Sequence, residues 1–209
     1  MKKRQKAGSV LLIAMTLFAS FEAFAANTFT AVSGSDWNTA ANWSEGVPVA
    51  GQAVVIDGNA TLTNATPALA SLMVNSAKTL TVDGWDTLLS ATTVTIAGTV
   101  THAQNTATTT NSLGQWVPNA RVNIACSNLT VASTGKIDAN YKGFLGGKVK
   151  YAAGFGPGGA LTNSINGGSY GGRGATGNPG IPSAVVYGAY QAPGDWPGSG
   201  GGGGICGRA

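Results

Sequence analysis

Three segments of the chain are imperfect copies of one pattern, in which a short strand, a tight turn and a second short strand follow one another. The copies read SLMVNSAKTLTVDG from Ser71, TVTIAGTVTHA from Thr93 and NLTVASTGKIDAN from Asn128. Their anchor residues, Leu72, Val94 and Leu129, are 22 and 35 residues apart. A unit of this size cannot bury its own apolar face and must stack on its neighbours. The pattern therefore predicts an all-β fold, a parallel β-solenoid, with an irregular β-sandwich as the alternative.

Short β-like runs separated by Gly, Pro and Asn extend this pattern over residues 26–139, and no segment after residue 25 keeps the apolar period of a full helix. Most runs have three or four residues, which suits the strands of a solenoid. The runs are Val54–Ile56, Thr61–Thr63, Leu72–Val74, Thr79–Val82, Thr93–Ile96, Thr99–Thr101, Val122–Ile124, Asn128–Val131 and Lys136–Asp138. A polar segment, Ala103–Ser112, lengthens the second interval and is expected to lie outside the stack.

Apolar and threonine side chains alternate within these runs. Side chains of a strand alternate between its two faces, so Leu80, Val82, Val94 and Ile96 are expected to point inward and the threonines outward. The outward threonines are Thr79, Thr81, Thr93, Thr95, Thr99 and Thr101. Threonine is common on a pleated, solvent-facing surface for steric reasons alone. The sharper alternative is a ladder of hydroxyl and methyl groups that binds polysaccharide or ice, although the Thr-x-Thr pairs do not recur at an even spacing.

The first 25 residues have the pattern of a secretory signal peptide. Four basic residues precede an apolar run, Val10–Phe18, and the small residues Ala23-Phe24-Ala25 precede the expected cleavage site between Ala25 and Ala26. Cleavage removes four of the 12 basic and one of the eight acidic residues, which lowers the formal net charge from +4 to +1. The mature chain then has no basic patch for nucleic acid and no apolar run long enough for a transmembrane helix.

A tryptophan motif follows the expected cleavage site. Trp37 and Trp43 precede Gly46-Val47-Pro48, a polar turn and the run Val54-Val55-Ile56. This motif resembles the opening of bacterial secreted right-handed β-helix proteins, including autotransporter-type passenger domains, and the resemblance covers about residues 28–139. It implies a right-handed coil in an extracellular, cell-surface or outer-membrane-associated protein of a Gram-negative bacterium.

Physical reasoning gives the same residues a capping role. The first strand of a stack leaves an unpaired edge and one end of the core exposed. Trp37 and Trp43 can cover that end, and Pro48 cannot extend a ladder because it lacks an N–H group. The competing interpretation is that the two indoles stack against sugar rings.

Residues 140–209 differ in composition, since they contain 23 of the 32 glycines. A strict Gly-X-Y repeat is absent, which excludes collagen. The region resembles glycine-rich inserts of long bacterial surface proteins, and we expect it to be truncated. It is either disordered, because Gly loses the most backbone entropy on folding, or packed as polyproline-II-like strands. Aromatic residues between the glycine runs are Phe144, Phe155, Tyr170, Tyr187, Tyr190 and Trp196.

Residues suited to catalysis or metal binding are few. His102 is the single histidine, and it is interpreted as a surface residue. Asp83 and Asp86 indicate a turn or a weak Ca²⁺ site, although calcium prefers six to eight oxygen ligands. Asp57, Asp83 and Asp138 lie in or beside successive strands, and alignment of the three would provide the facing carboxylates of a glycoside hydrolase. No catalytic residue, metal or cofactor is predicted.

The two cysteines are Cys126 and Cys206. Export would place them in an oxidising compartment, where a disulfide would tie the glycine-rich region to the β region. Two unpaired thiols, with Cys126 buried beside the run from Val122, are the alternative.

These observations predict a non-enzymatic, secreted structural or adhesin-like protein whose partner is a polysaccharide or the surface of a host or neighbouring cell. The alternatives are the N-terminal part of a polysaccharide-lyase-like β-helix enzyme and a carbohydrate- or ice-binding solenoid that uses the threonine face.

Overall fold

A computed structural model describes residues 25–32, 34–170, 172–177, 180–188 and 197–204. Its ten strands form two five-stranded sheets in which every pair of neighbouring strands is parallel. The strands are β1 (Asn27–Phe29), β2 (Ser35–Asp36), β3 (Ala53–Ile56), β4 (Ala60–Leu62), β5 (Leu69–Val74), β6 (Thr79–Val82), β7 (Leu89–Ile96), β8 (Thr99–His102), β9 (Ile124–Val131) and β10 (Lys136–Asp138). One turn of 3-10 helix, Ala40–Asn42, is the helical element of this part of the chain.

Consecutive strands alternate between the two sheets. The odd sheet has the order β1-β3-β5-β7-β9, and the even sheet has the order β2-β4-β6-β8-β10. Each repeat therefore contributes one strand to each sheet. The prediction of an all-β fold with parallel strands is confirmed.

The three anchors of the repeat occupy one column of the odd sheet. Leu72 pairs with Val94, and Val94 pairs with Leu129, so the unequal intervals of 22 and 35 residues end in one register. The connections take up the difference in length. The prediction of two separate runs, Val122–Ile124 and Asn128–Val131, is wrong. Ile124–Val131 is one continuous strand that includes Cys126.

The predicted alternation of inward and outward side chains is confirmed. Leu80, Val82, Val94 and Ile96 are fully buried, and the six predicted outward threonines are half-buried. The interpretation of His102 as a surface residue is wrong. The inward column of β4, β6 and β8 runs Leu62, Val82, His102, and burial of the ring lowers the His102 pKa. A hydrogen bond between Nδ1 and the Ala103 carbonyl satisfies its polar edge.

The first strands of the stack carry a cluster of aromatic side chains. The Trp37 and Trp43 rings lie edge to face with centroids 4.6 Å apart, and Trp43 meets Phe29 in the same way at 5.0 Å. The Trp43 indole N–H donates a 2.6 Å hydrogen bond to the Trp37 carbonyl. All three rings are buried, as is Pro48.

The other end of the stack is open. Leu129, Val131 and Ile137 continue inward columns whose preceding residues are fully buried, yet 44–48% of the surface of each is exposed. The inward side of β9 and β10 is therefore a partly exposed apolar face at Leu129, Val131 and Ile137.

Backbone hydrogen bonds between separate segments hold the glycine-rich region together. The run 198–204 lies among these segments: Gly200 N–H donates to Phe155, Gly203 N–H donates to Ala152, and Gly202 N–H donates to Asn166. Its carbonyls at Gly198, Gly201 and Gly203 accept from the N–H groups of Phe144, Gly147 and Tyr151. An interval of three residues separates Gly198 from Gly201, which contact one segment, and Gly200 from Gly203, which contact another.

Candidate binding site

A cleft of about 640 Å³ lies where three distant segments of the chain meet. The turn after β6 contributes Trp85, the long connection between β8 and β9 contributes Gln115, Trp116, Val117 and Pro118, and the glycine-rich region contributes Pro157. We call this site the indole cleft. Its volume lies within the range of about 300–1,000 Å³ that is typical of ligand pockets.

Arg121 fixes the position of Trp85. The Arg121 Nε–H group donates a 2.8 Å hydrogen bond to the Trp85 carbonyl, and its guanidinium carbon lies 4.6 Å from the centroid of the indole ring. Hydrogen bond and cation–π contact act on the same residue, so the half-buried indole is held at the wall of the cleft.

Aromatic residues of the glycine-rich region hold Trp116. The Trp116 ring lies edge to face with Phe144 at 5.5 Å and with Phe155 at 6.3 Å between centroids. The backbone beside it is fixed by Asn111, whose Oδ1 accepts from the N–H groups of Leu113 and Gln115. The Asn111 amide also donates to Gln115 Oε1 at 3.3 Å, which orients the Gln115 side chain.

The connection that carries Trp116 is itself anchored. Asn105 is fully buried, and its Nδ2 donates to the Lys142 carbonyl at 2.8 Å. The Gln104 amide donates to the Gly143 carbonyl at 3.0 Å. No strand lies in the predicted loop Ala103–Ser112, and the amides of Gln104 and Asn105 tie its first residues to the start of the glycine-rich region.

The lining of the indole cleft has no ionisable side chain among the residues that the structure describes. Trp85, Trp116, Pro118 and Pro157 supply flat or ring-shaped apolar surface, and the Gln115 amide has both donor and acceptor capacity. The arrangement suits a neutral ligand with flat apolar faces and hydroxyl groups at its edges.

The threonines that are unevenly spaced in the sequence align in space on the even sheet. Thr61, Thr81 and Thr101 form one column, and Thr79 and Thr99 form the next. The Thr61 and Thr101 hydroxyls donate to the carbonyls of Gly34 and Asp138. We call this surface the threonine face.

Charged residues bound the threonine face at β10. Asp138 pairs with Thr101, and Lys136 pairs with Thr99. Lys136 Nζ lies 2.9 Å from Asp138 Oδ2, and this hydrogen bond, together with the Asn140 N–H group, lowers the Asp138 pKa.

Asp57, Asp83 and Asp138, whose alignment the sequence left open, do not line up. Asp138 belongs to the column of Thr81 and Thr101, Asp83 lies two residues beyond Thr81, and Asp57 follows an odd-sheet strand, where it accepts a hydrogen bond from the Asn75 amide. Within the described ranges, no group of three or more His, Cys, Asp or Glu side chains forms a metal site.

The remaining predicted residues occupy other regions. Cys126 is half-buried in β9, whereas Cys206 lies outside the described residues, as do Tyr190, Trp196 and most of the signal peptide. Ala25 is exposed, and Ala26 immediately precedes β1. Burial of Trp37 and Trp43 fits the capping interpretation, because neither ring offers an open face for a sugar.

Sequence reasoning did not identify Trp85 and Trp116 as a pair. The available signal was the presence of two tryptophans in polar, turn-rich segments, where an apolar core does not require them.

No protein-family model, curated protein or solved structure matches the chain. In the part of the chain that the structure describes, no helix has the length and apolar character needed to span a membrane.

Proposed function

We propose that the chain is a non-enzymatic, exported structural and adhesive module, built as a right-handed parallel β-solenoid with a packed glycine-rich lobe. The observation that carries the proposal is the alternation of consecutive strands between two parallel sheets, with one repeat aligned on the next. Such a stack presents long side surfaces for repeated contacts.

The two ends of the stack support this role. The first strands carry buried indoles, which protect the core from edge-to-edge association, while the last strand pair leaves Leu129, Val131 and Ile137 partly exposed. The two ends of the stack therefore differ in how well the core is covered. We expect this arrangement in a stalk-like surface protein of a Gram-negative bacterium.

The position of the first strand supports export. β1 begins at Asn27, which is buried and donates a 2.8 Å hydrogen bond from Nδ2 to the Gly46 carbonyl. Cleavage after Ala25 would leave Ala26 ahead of this strand and remove nothing from either sheet. The mature chain would therefore keep every described strand.

Processing in a Gram-negative host tests this function. Expression of residues 1–209 is expected to give a periplasmic or extracellular protein whose N-terminal sequence begins at Ala26. A variant with Ala23→Leu and Ala25→Leu should accumulate as uncleaved precursor in the membrane fraction, because large side chains do not fit the cleavage motif. Uncleaved wild-type chain in the cytoplasm would contradict export.

A further inference from the structure

We propose that the indole cleft binds a neutral polysaccharide through stacking of its sugar rings on Trp85 and Trp116. This inference makes the adhesive part of the proposed function more specific. It rests on that function because export is what would bring the protein into contact with a glycan outside the cell. The binding chemistry itself depends only on the cleft.

The geometry provides two fixed stacking surfaces. Arg121 lies over the Trp85 ring, so a ligand in the cleft would contact the remaining surface of that indole. Phe144 and Phe155 pack edge to face with Trp116 and fix its position. Indole rings held in this way lose little side-chain entropy when a ligand binds. The C–H faces of pyranose rings are flat and apolar, which matches such surfaces.

Hydroxyl groups at the edge of a sugar need both donors and acceptors. Gln115 is placed beside Trp116, and Asn111 fixes its backbone N–H and orients its amide. An amide can donate and accept at once, which suits vicinal hydroxyls. A proline-rich peptide, the other usual ligand of aromatic grooves, presents mainly carbonyl acceptors and would use only the donors.

The charge of the cleft selects among polysaccharides. Recognition of uronic acids needs Arg or Lys on the carboxylate, whereas the described lining residues include neither, and the nearby Arg121 directs its Nε–H group and guanidinium at Trp85. Among the described residues, the lining contains no pair of carboxylates suited to glycoside hydrolysis. We therefore expect binding of neutral chains without cleavage.

The experiment uses the mature chain, residues 26–209. Native affinity gels containing hydroxyethyl cellulose, laminarin or galactomannan identify the neutral polysaccharide that retards the protein, and polygalacturonic acid is the acidic comparison. Titration calorimetry with cellohexaose, laminarihexaose or mannohexaose then gives Kd, and a reducing-end assay measures cleavage.

Retardation by at least one neutral polysaccharide is expected, with no release of reducing ends. Trp85→Ala and Trp116→Ala should each weaken binding by about ten-fold or more, which corresponds to loss of one stacked ring. Gln115→Ala should weaken binding several-fold. Because this side chain is exposed, the variant is expected to fold, and it tests the site even where a Trp variant unfolds. Leu113→Ala lies in the same connection, is 78% exposed, and should change Kd less than about two-fold.

Several results would overturn the proposal. They are retardation by none of the neutral polysaccharides, preference for polygalacturonic acid, release of reducing ends, unchanged binding in the Gln115 and Trp variants, and binding of decaproline in place of every sugar. Equal loss of binding in Thr81→Lys would move the site to the threonine face. Absence of polysaccharide binding together with normal processing at Ala26 would contradict this proposal alone. Normal polysaccharide binding without processing would contradict export alone.

Discussion

Replacement of Trp43 with Ala is expected to lower the free energy of unfolding by about 3–5 kcal/mol, the usual cost of truncating a buried tryptophan. The substitution removes the ring between Phe29 and Trp37 and the hydrogen bond to the Trp37 carbonyl. Natural domains are stable by only about 5–15 kcal/mol, so this loss is a large part of the total. Urea unfolding of residues 26–209, followed by circular dichroism, measures it.

Tyr141→Ala is the matched control, since it also removes an aromatic ring, but from a side chain that is 96% exposed. It should change stability by less than about 0.5 kcal/mol. Trp43→Phe should recover part of the loss by refilling the space. If Trp43→Ala instead unfolds like the wild type and loses glycan binding, the indoles are a binding platform and the capping interpretation fails.

A second large effect is expected in the glycine-rich region, from Gly203→Ala. A Cβ atom at Gly203 would lie 1.7 Å from the Val149 carbonyl oxygen, and at Gly200 it would lie 1.8 Å from that of Leu145. Both obstacles are backbone atoms, which cannot turn aside as a side chain does. We expect each substitution to cost about 3 kcal/mol or more, the upper range for overpacking, and to open the region locally.

Gly204→Ala is the control within the same glycine run, because a Cβ atom there meets nothing within 4 Å. It should be neutral or slightly stabilising, since Ala has less freedom in the unfolded chain. Amide hydrogen exchange over residues 143–204 distinguishes the variants: protection should fall in Gly200→Ala and Gly203→Ala and persist in Gly204→Ala. Equal exchange in all three, at unprotected rates, would indicate a disordered region.

The strands were largely predictable because their signal is local. Inward and outward positions depend on a period of two, so Leu80, Val94 and the alternating threonines could be assigned without a partner strand. The same period places His102 inward, and its polar side chain led to the wrong assignment. β1 and β2 were missed because two or three residues show no clear alternation. The partners of β1, which are Trp43 and β3, follow later in the chain.

The indole cleft and the glycine packing were not predictable for a common reason. Trp85, Trp116 and Pro157 are far apart in sequence, and only tertiary contacts bring them together. The glycine run has no side chains whose pattern could indicate a neighbour. Its order depends on backbone hydrogen bonds from segments such as those around Gly147 and Phe155, which composition does not reveal.

Disulfide trapping of strand neighbours tests the central claim, that successive repeats stack in parallel and in register. In a background with Cys126→Ser and Cys206→Ser, the pair Thr81→Cys and Thr101→Cys joins facing positions of β6 and β8. Neighbouring strands are about 4.8 Å apart, within the Cα separation that a disulfide spans. The pair Thr61→Cys and Thr101→Cys is two strands apart, at roughly 9.6 Å, which is beyond that range.

The measurement is the free-thiol count of residues 26–209, with intact mass, after mild oxidation at low protein concentration. Stacked repeats predict rapid loss of both thiols in the Thr81–Thr101 pair and two persistent thiols in the Thr61–Thr101 pair. Cross-linking of the distant pair, or persistent thiols in the facing pair, would contradict the stack.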